Sequence, residues 1–88
     1  MNTFKLTIST PDGNKFDGDV IKFDVRGVEG ELAVMAGHIP FVTTVVSAPC
    51  VIELDDGTVK KATCEGGLLT VGKDATTFFS GSFEFTKE

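Results

Sequence analysis

The sequence predicts an all-β protein whose short strands form a sandwich or a barrel. Apolar and polar residues alternate along several segments, beginning with the first, where Phe4, Leu6 and Ile8 share one face. Turn signals rich in Gly, Pro and Asp separate these segments, at the spacing of roughly 8–12 residues that is typical of sandwiches and barrels. No window of about eleven residues carries helical periodicity free of glycine or β-branched clusters.

In the first half of the chain, each predicted strand ends at a recognisable turn. The segment 10–13 (Thr-Pro-Asp-Gly) closes the first strand, because Pro fixes φ and Gly accepts a positive φ. The alternation changes phase near residues 20–21, which predicts a bulge or a short break. A turn over 27–30 then leads to a strand over about 31–35, and the segment 37–40 (Gly-His-Ile-Pro) ends that strand.

The second half predicts five further short strands and a tail. We expect these strands over residues 41–46, 50–54, 59–64, 68–71 and 76–79. Ala48-Pro49 closes the first of them, and Asp-Asp-Gly at 55–57 joins the next two as a hairpin. The glycine pair at 66–67 separates the third strand from the fourth, a turn over 72–74 follows the fourth, and Phe-Glu-Phe at 83–85 follows the last strand.

The chain of 88 residues is expected to form one domain, because it is too short for a second core. Its eight phenylalanines, with no Trp and no Tyr, fit the interior of a small sandwich. We expect the following to fill the space between two sheets: Phe4, Phe16, Phe23, Phe41 and Phe79.

The charge balance argues against nucleic acid or an anionic membrane as a direct partner. Eight basic and thirteen acidic residues give a net charge of −5, whereas phosphate binding needs clustered Lys and Arg. The apolar runs fall far short of the ~20 residues that a membrane helix needs, and no leader opens the chain. We therefore expect a soluble, intracellular protein.

Metal binding and catalysis find little support in the residues. His38, Cys50 and Cys64 are the only soft ligands, and the cysteines lack the close spacing of a structural zinc site. A hairpin centred on Gly57 would place the two cysteines opposite or diagonal to each other, so either a disulfide or two buried thiols fits, and the thiols are favoured. The single His has no nucleophile motif around it. The glycine pair at 66–67 is not followed by the Lys-Ser or Lys-Thr of a phosphate loop. We expect no catalysis and no cofactor.

The order and spacing of five motifs together resemble those of a known family. They are Thr-Pro-Asp-Gly at 10–13, Phe-x-Gly-x-Val at 16–20, Glu-Gly-Glu-Leu at 29–32 with Gly-His-Ile-Pro at 37–40, and Glu-Gly-Gly-Leu-Leu-x-Val at 65–71. Together they resemble the N-terminal β-sandwich domain of the epsilon subunit of F-type ATP synthase. The resemblance covers nearly the whole chain.

The resemblance implies a flattened antiparallel sandwich of about ten short strands at the foot of the rotating central stalk. It also implies a non-catalytic rotor subunit that couples the membrane c-ring to the gamma subunit during proton-driven ATP synthesis. Such a subunit is peripheral to the cytoplasmic face of a bacterial energy-transducing membrane, as part of the F1 sector, and reaches the membrane only through the complex.

Carried over by position, the resemblance assigns residues to two interfaces. The c-ring interface comprises Glu29, Gly30, Glu31 and His38. The gamma-subunit interface comprises Ser9, Thr10, Ile39, Pro40 and Thr43. The c-ring loops of this family generally carry arginine, for which a paired-acid turn offers charge-assisted hydrogen bonds.

The chain departs from the family at its C-terminal end. The family usually adds a pair of helices that can bind ATP and inhibit hydrolysis, whereas this sequence stops at 86–88, about where they would begin. We therefore expect neither nucleotide binding nor inhibitory insertion, and both a naturally short form and a truncated one are compatible. Phe83 and Phe85, which replace the family's Ala-and-acid stretch, are expected to cover a sheet edge.

Two other functions remain open. The first is an independent β-sandwich binding module, for carbohydrate for example, although such sites usually use exposed Trp or Tyr. The second is a small enzyme or redox protein that uses Cys50, Cys64 and His38, which would need an accessible, perturbed thiol.

Overall fold

The computed structural model describes residues 2–37 and 39–86, and the regular elements in them are strands. They are β1 (Phe4–Thr10), β2 (Gly13–Val20), β3 (Lys22–Gly27), β4 (Gly30–Met35), β5 (Phe41–Glu53), β6 (Val59–Val71), β7 (Ala75–Ser80) and β8 (Phe83–Phe85). In this part of the chain, no helix has the length and apolar character required to cross a bilayer.

The predicted turns and the phase change are confirmed. Residues 11–12 join β1 to β2, residues 28–29 join β3 to β4, and residues 54–58 join β5 to β6. The backbone of Gly13 has a φ of 125°, which only glycine adopts without strain. The change of phase falls at Ile21, the single residue between β2 and β3.

Two long strands turn one hydrogen-bonded sheet into two layers. The strand order is β2-β1-β7-β6-β5-β3-β4, and β8 pairs with β6. Residues 67–71 of β6 pair with β7 and with the start of β5. The other halves of β5 and β6 pair with β3 and β8. We call β2, β1, β7 and the paired halves 67–71 and 41–45 the first sheet, and the remainder the second sheet.

The predicted break between strands at the glycine pair is wrong, because both glycines lie inside β6. Pairing with β5 continues on either side of them, from Val45 opposite Gly67 to Ser47 opposite Glu65. A Cβ on Gly66 would lie 2.8 Å from the Val45 carbonyl oxygen, and one on Gly67 would lie 2.1 Å from that of Phe79. The pair is therefore required for close backbone approach where β6 passes from one sheet to the other.

The predicted end of a strand at Ala48-Pro49 is also wrong, because β5 continues through both residues. The pairing of β3 with β5 shifts between Asp24, opposite Val51, and Gly27, opposite Val45. Pro49 falls within the part of β5 that no β3 residue faces in register, where its missing N–H costs no ladder bond on that side. The described residues therefore form eight strands rather than about ten, since β5 and β6 each contain two predicted strands.

The core lies between the two sheets and is almost entirely apolar. Its buried residues are Phe4, Leu6, Ile8, Val20, Phe23, Val25, Val34, Val45, Cys50, Ile52, Ala62, Cys64, Leu69, Val71, Phe78 and Phe83. Phe23 of β3 meets Phe78 of β7 with ring centroids 5.8 Å apart, which joins the two layers. The predicted burial of Phe4 and Phe23 is confirmed, and Phe16 and Phe41 pack against the core half-buried.

The prediction that Phe79 lies in the core is wrong. Phe79 is 51% exposed, whereas its neighbour Phe78 is fully buried. The alternation along β7 turns Thr76, Phe78 and Ser80 inward, and therefore turns Phe79 outward.

The phenylalanine tail covers a sheet edge, as expected. β8 pairs with residues 62–64 of β6. Phe83 is buried against Phe78, with ring centroids 6.4 Å apart. Phe85 meets Phe16 of β2 at 6.3 Å in an edge-on contact. The tail therefore contributes side chains to both layers.

Candidate protein-interaction site

The acidic turn is the tip of the β3–β4 hairpin. Gly27 pairs with Gly30, so Val28 and Glu29 form a two-residue loop. Gly30 has a φ of 128°, and a Cβ on Gly27 would lie 3.1 Å from a methyl of Leu32. The Gly-Val-Glu-Gly sequence therefore folds as a tight hairpin whose tip points into solvent.

The two carboxylates of this turn are in different electrostatic situations. Glu31 lies opposite Arg26, and their side chains form an exposed ion pair at 3.4 Å. Such a surface pair contributes little to stability and exchanges partners at low cost. Glu29 is exposed and makes no ion pair with any residue that the structure describes. The hairpin tip therefore presents one uncompensated negative charge and a second that Arg26 shares.

A shallow groove connects the acidic turn with the first residues of β5. It has a volume of about 410 Å³ and is lined by Gly27, Val28, Glu29, Gly30, Glu31, Leu32, Phe41, Val42 and Thr43. The backbone brings these segments together because Gly27 pairs with Val45. Three residues assigned to the c-ring interface and one assigned to the gamma-subunit interface therefore border the same groove.

The outer face of the first sheet is largely uncharged along β1, β7, β6 and β5. Its charged outward side chain on these strands is Lys5, near the start of β1, which pairs with Asp17 of β2 at 3.3 Å. Besides Lys5 and the small Ala75, the outward side chains are Thr7 and Ser9 on β1, Thr77 and Phe79 on β7, Leu68 and Thr70 on β6, and Val42 and Thr44 on β5. Leu68 pairs directly with Phe79, and Ser9 lies on the other side of Phe79. We call these eight residues the uncharged face.

Three large apolar side chains of the uncharged face are not among the interface residues that were assigned from the sequence. Val42, Leu68 and Phe79 are 61%, 50% and 51% exposed. Adjacent apolar residues, such as Leu68-Leu69 in a strand, are the signal that could have found them. In an alternating strand, one member of such a pair must face outward.

The residues assigned to the gamma-subunit interface are spread over three settings. Ser9 is half-buried in the uncharged face and donates to the Asn14 side chain at 2.9 Å. Ile39 and Pro40 are exposed just before β5, and Thr43 is half-buried at the groove.

Thr10 is buried, and its hydroxyl is hydrogen-bonded within the turn at 10–13. Its hydroxyl donates to the Gly13 carbonyl oxygen at 3.3 Å and accepts from the Asp12 amide at 3.2 Å. Its contribution to any interface would therefore be to fix the turn at 10–13. His38 lies outside the described residues.

The two cysteines are buried neighbours in the core. Cys50 pairs with Ala62 and Cys64 with Ala48, so the cysteines are diagonal to each other across β5 and β6. Both are free thiols, and the Cys50 thiol donates to the Cys64 sulfur at 3.4 Å. The described residues contain no group of three or more His, Cys, Asp or Glu side chains able to hold a metal ion.

A sandwich with an acidic hairpin tip and an adjoining uncharged face has the surface character of a protein-interaction domain. Preformed apolar surface without charge, beside a distinct charged edge, is typical of surfaces that contact other proteins. The chain belongs to the family described as "ATP synthase, Delta/Epsilon chain, beta-sandwich domain", whose model matches residues 3–86.

Curated relatives agree with this family. The chain is 36% identical over 86 residues to the sodium ion specific ATP synthase epsilon chain of Acetobacterium woodii, covering 98% of this chain and 65% of that protein. It is 33% identical over 88 residues to the ATP synthase epsilon chain of Bacillus licheniformis, covering 100% of this chain and 66% of that one. The chain thus spans slightly less than two thirds of the length of these relatives.

Solved structures share the fold at lower identity. A chain of the Euglena gracilis mitochondrial ATP synthase superposes with a TM-score of 0.89 at 21% identity, covering 94% of this chain and 53% of that chain. A chain from the central stalk and c-ring of the Tetrahymena thermophila mitochondrial ATP synthase superposes with a TM-score of 0.79 at 12% identity, covering 93% of this chain and 66% of that chain. The predicted family and the predicted all-β sandwich are confirmed.

Proposed function

We propose that the chain is a structural, non-catalytic rotor subunit of the central stalk of an F-type ATP synthase. In this role it couples the membrane c-ring to the gamma subunit during ion-driven ATP synthesis. Family membership carries the proposal. Two surfaces of opposite chemical character support it, because a coupling element must contact two partners at once.

The acidic hairpin tip is proposed to face the c-ring. Glu29 offers an uncompensated carboxylate, and Glu31 can exchange Arg26 for an arginine of the partner at little cost. Both carboxylates flank Gly30, whose lack of a side chain leaves the backbone open to close approach. The proposed c-ring interface includes His38 as well.

The uncharged face is proposed to contact the gamma subunit, together with the assigned residues at its edge. The eight residues of this face carry no charge, so the apolar gain from burying them is not offset by desolvation of a charge of their own. Leu68 and Phe79 are each about half exposed. Completing the burial of each is worth roughly 1 kcal/mol. Ser9 lies within the face, and Ile39, Pro40 and Thr43 lie along the start of β5.

The location follows from the proposed role. The subunit would lie at the cytoplasmic face of a bacterial energy-transducing membrane, within the F1 sector. With a net charge of −5, the chain has no electrostatic attraction to anionic lipid. Its contact with the membrane would therefore run through the c-ring.

The proposal is tested by titrating the chain against the gamma subunit of the same source in a calorimeter. We expect a one-to-one complex. The double variant Leu68→Ser/Phe79→Ser should bind roughly 30-fold more weakly, from a loss of about 2 kcal/mol. Val59→Ser removes an equally exposed apolar side chain from the second sheet and should bind like the wild type. Failure of the wild type to bind, or equal weakening in both variants, would contradict the proposed gamma-facing surface.

A further inference from the structure

The sulfurs of Cys50 and Cys64 are already in contact across the β5–β6 hairpin. They are 3.4 Å apart, and a disulfide bond is about 2.05 Å long. The sulfurs must therefore approach by roughly 1.4 Å for the bond to form. Both side chains point inward from β5 and β6, so the link would form within the core.

The sulfur pair lies beside an irregularity of the sheet. Val46 and Ala48 lie in the part of β5 where the register with β3 shifts. The Cys64 sulfur is 3.6 Å from the Ala48 carbonyl oxygen and 3.9 Å from the Val46 carbonyl oxygen. Thiols are weak donors, so losing their hydrogens on oxidation would cost little.

The two thiols are not equivalent. The hydrogen bond from Cys50 lowers the pKa of Cys64, and the same bond raises the pKa of Cys50. Cys64 is 6% exposed and Cys50 only 1%. Cys64 is therefore the less buried member of the pair and the one that a small oxidant would meet first, and the Cys50 sulfur is in contact with it.

We propose that Cys50 and Cys64 form a reversible redox modification site, which closes to an intramolecular disulfide when the chain meets a small peroxide. In the first step, the Cys64 thiolate attacks hydrogen peroxide, giving Cys64 sulfenic acid and hydroxide. In the second step, the Cys50 sulfur attacks the sulfenic sulfur, and its thiol proton leaves with the sulfenic hydroxyl as water. The two thiols lose two electrons in total, the peroxide gains them, and a dithiol reverses the change.

The link would tie the β5–β6 hairpin together beside the register shift. It closes a loop over residues 50–64. The closed loop lowers the conformational entropy of the unfolded chain and therefore raises the melting temperature. Because the link is internal to the sandwich, it leaves the acidic hairpin tip and the uncharged face in place. The inference therefore stands independently of the proposed rotor role.

The test uses the purified chain, treated with hydrogen peroxide, quenched with catalase, unfolded and alkylated. We expect the reduced chain to take up two alkyl groups. The oxidised chain should take up none, weigh two hydrogens less, remain monomeric and melt several degrees higher. Subsequent treatment with a dithiol should restore both alkylation sites.

Two single variants separate the proposed order of steps. Cys50→Ala should stop at Cys64 sulfenic acid, which dimedone traps, and Cys64→Ala should leave Cys50 unoxidised over the same time. Full alkylation of the wild type after peroxide would overturn the proposal. So would oxygen added to one thiol without loss of the other, or disulfide-linked dimers. These outcomes are all read on the wild type, so the proposal is tested even if a variant fails to fold.

Discussion

The glycine pair inside β6 allows a prediction in which sterics and backbone strain are separated. We consider three substitutions by alanine, at Gly13, Gly66 and Gly67, which all have positive φ values, of 125°, 84° and 150°. A Cβ at Gly13 meets nothing within 4 Å, one at Gly66 meets the Val45 carbonyl oxygen at 2.8 Å, and one at Gly67 meets that of Phe79 at 2.1 Å.

The expected losses in the free energy of unfolding follow from this order. Gly13→Ala carries only conformational strain, about 1–2 kcal/mol. Gly66→Ala adds a contact with a backbone carbonyl oxygen, so the backbone of β5 or β6 must shift, for a total of roughly 2–3 kcal/mol. Gly67→Ala forces β6 away from β7 and disrupts the ladder between them, for a total of about 4 kcal/mol or more. That is a large fraction of the ~4–13 kcal/mol expected for a domain of 88 residues.

Urea denaturation followed by far-ultraviolet circular dichroism measures all three variants. The chain has no Trp and no Tyr, so fluorescence offers no comparable signal. We expect the midpoints to fall in the order Gly13→Ala, Gly66→Ala, Gly67→Ala. If Gly67→Ala were no less stable than Gly13→Ala, the close approach of β6 to the Phe79 carbonyl would be refuted, and so would the single long strand.

Three further predictions rest on other elements. Phe78→Ala should lower the free energy of unfolding by about 3–5 kcal/mol. Phe79→Ala should lower it by less than about 1 kcal/mol, and equal losses in urea denaturation would contradict the assigned phase of β7. Glu29→Lys with Glu31→Lys should keep the melting temperature but weaken ATP-driven ion pumping in membranes carrying the assembled complex. Unchanged pumping relative to the control Glu84→Lys would argue against c-ring docking. Hydrogen bonds from Thr58 hold the pKa of Asp56 below its usual value. The contribution of Asp56 to stability is therefore present above pH ~4 and is lost as the pH falls through the lowered pKa. Carboxyl NMR titration checks this, and an ordinary midpoint at Asp56 would contradict it.

Local chemistry was sufficient to predict the turns and the outer strands. The Thr-Pro-Asp-Gly turn, the Gly27–Gly30 hairpin and the Asp-Asp-Gly hairpin each depend on residues within four positions of one another. The merging of predicted strands into β5 and β6 was not predictable in this way. Pro49 and the glycine pair are strand breakers by local criteria, and only pairing with β3, β6 and β7 shows why each is tolerated. Motif spacing was sufficient for the acidic turn, whereas the uncharged face depends on which strands are neighbours.

The apolar doublets of β6 and β7 show that the core and the uncharged face are specified together. Leu69 pairs with Phe78 inside the core, and Leu68 pairs with Phe79 on the outer face. A slip of one residue in β7 would exchange Phe78 for Phe79 in the core and would bury Thr77 in place of Thr76 and Ser80. The buried Gly66 carbonyl oxygen, which accepts from the Ser80 hydroxyl, would then lose its partner in the interior. The hydroxyl at the end of β7 therefore favours the observed register, and in doing so it determines which aromatic ring is exposed on the outer face.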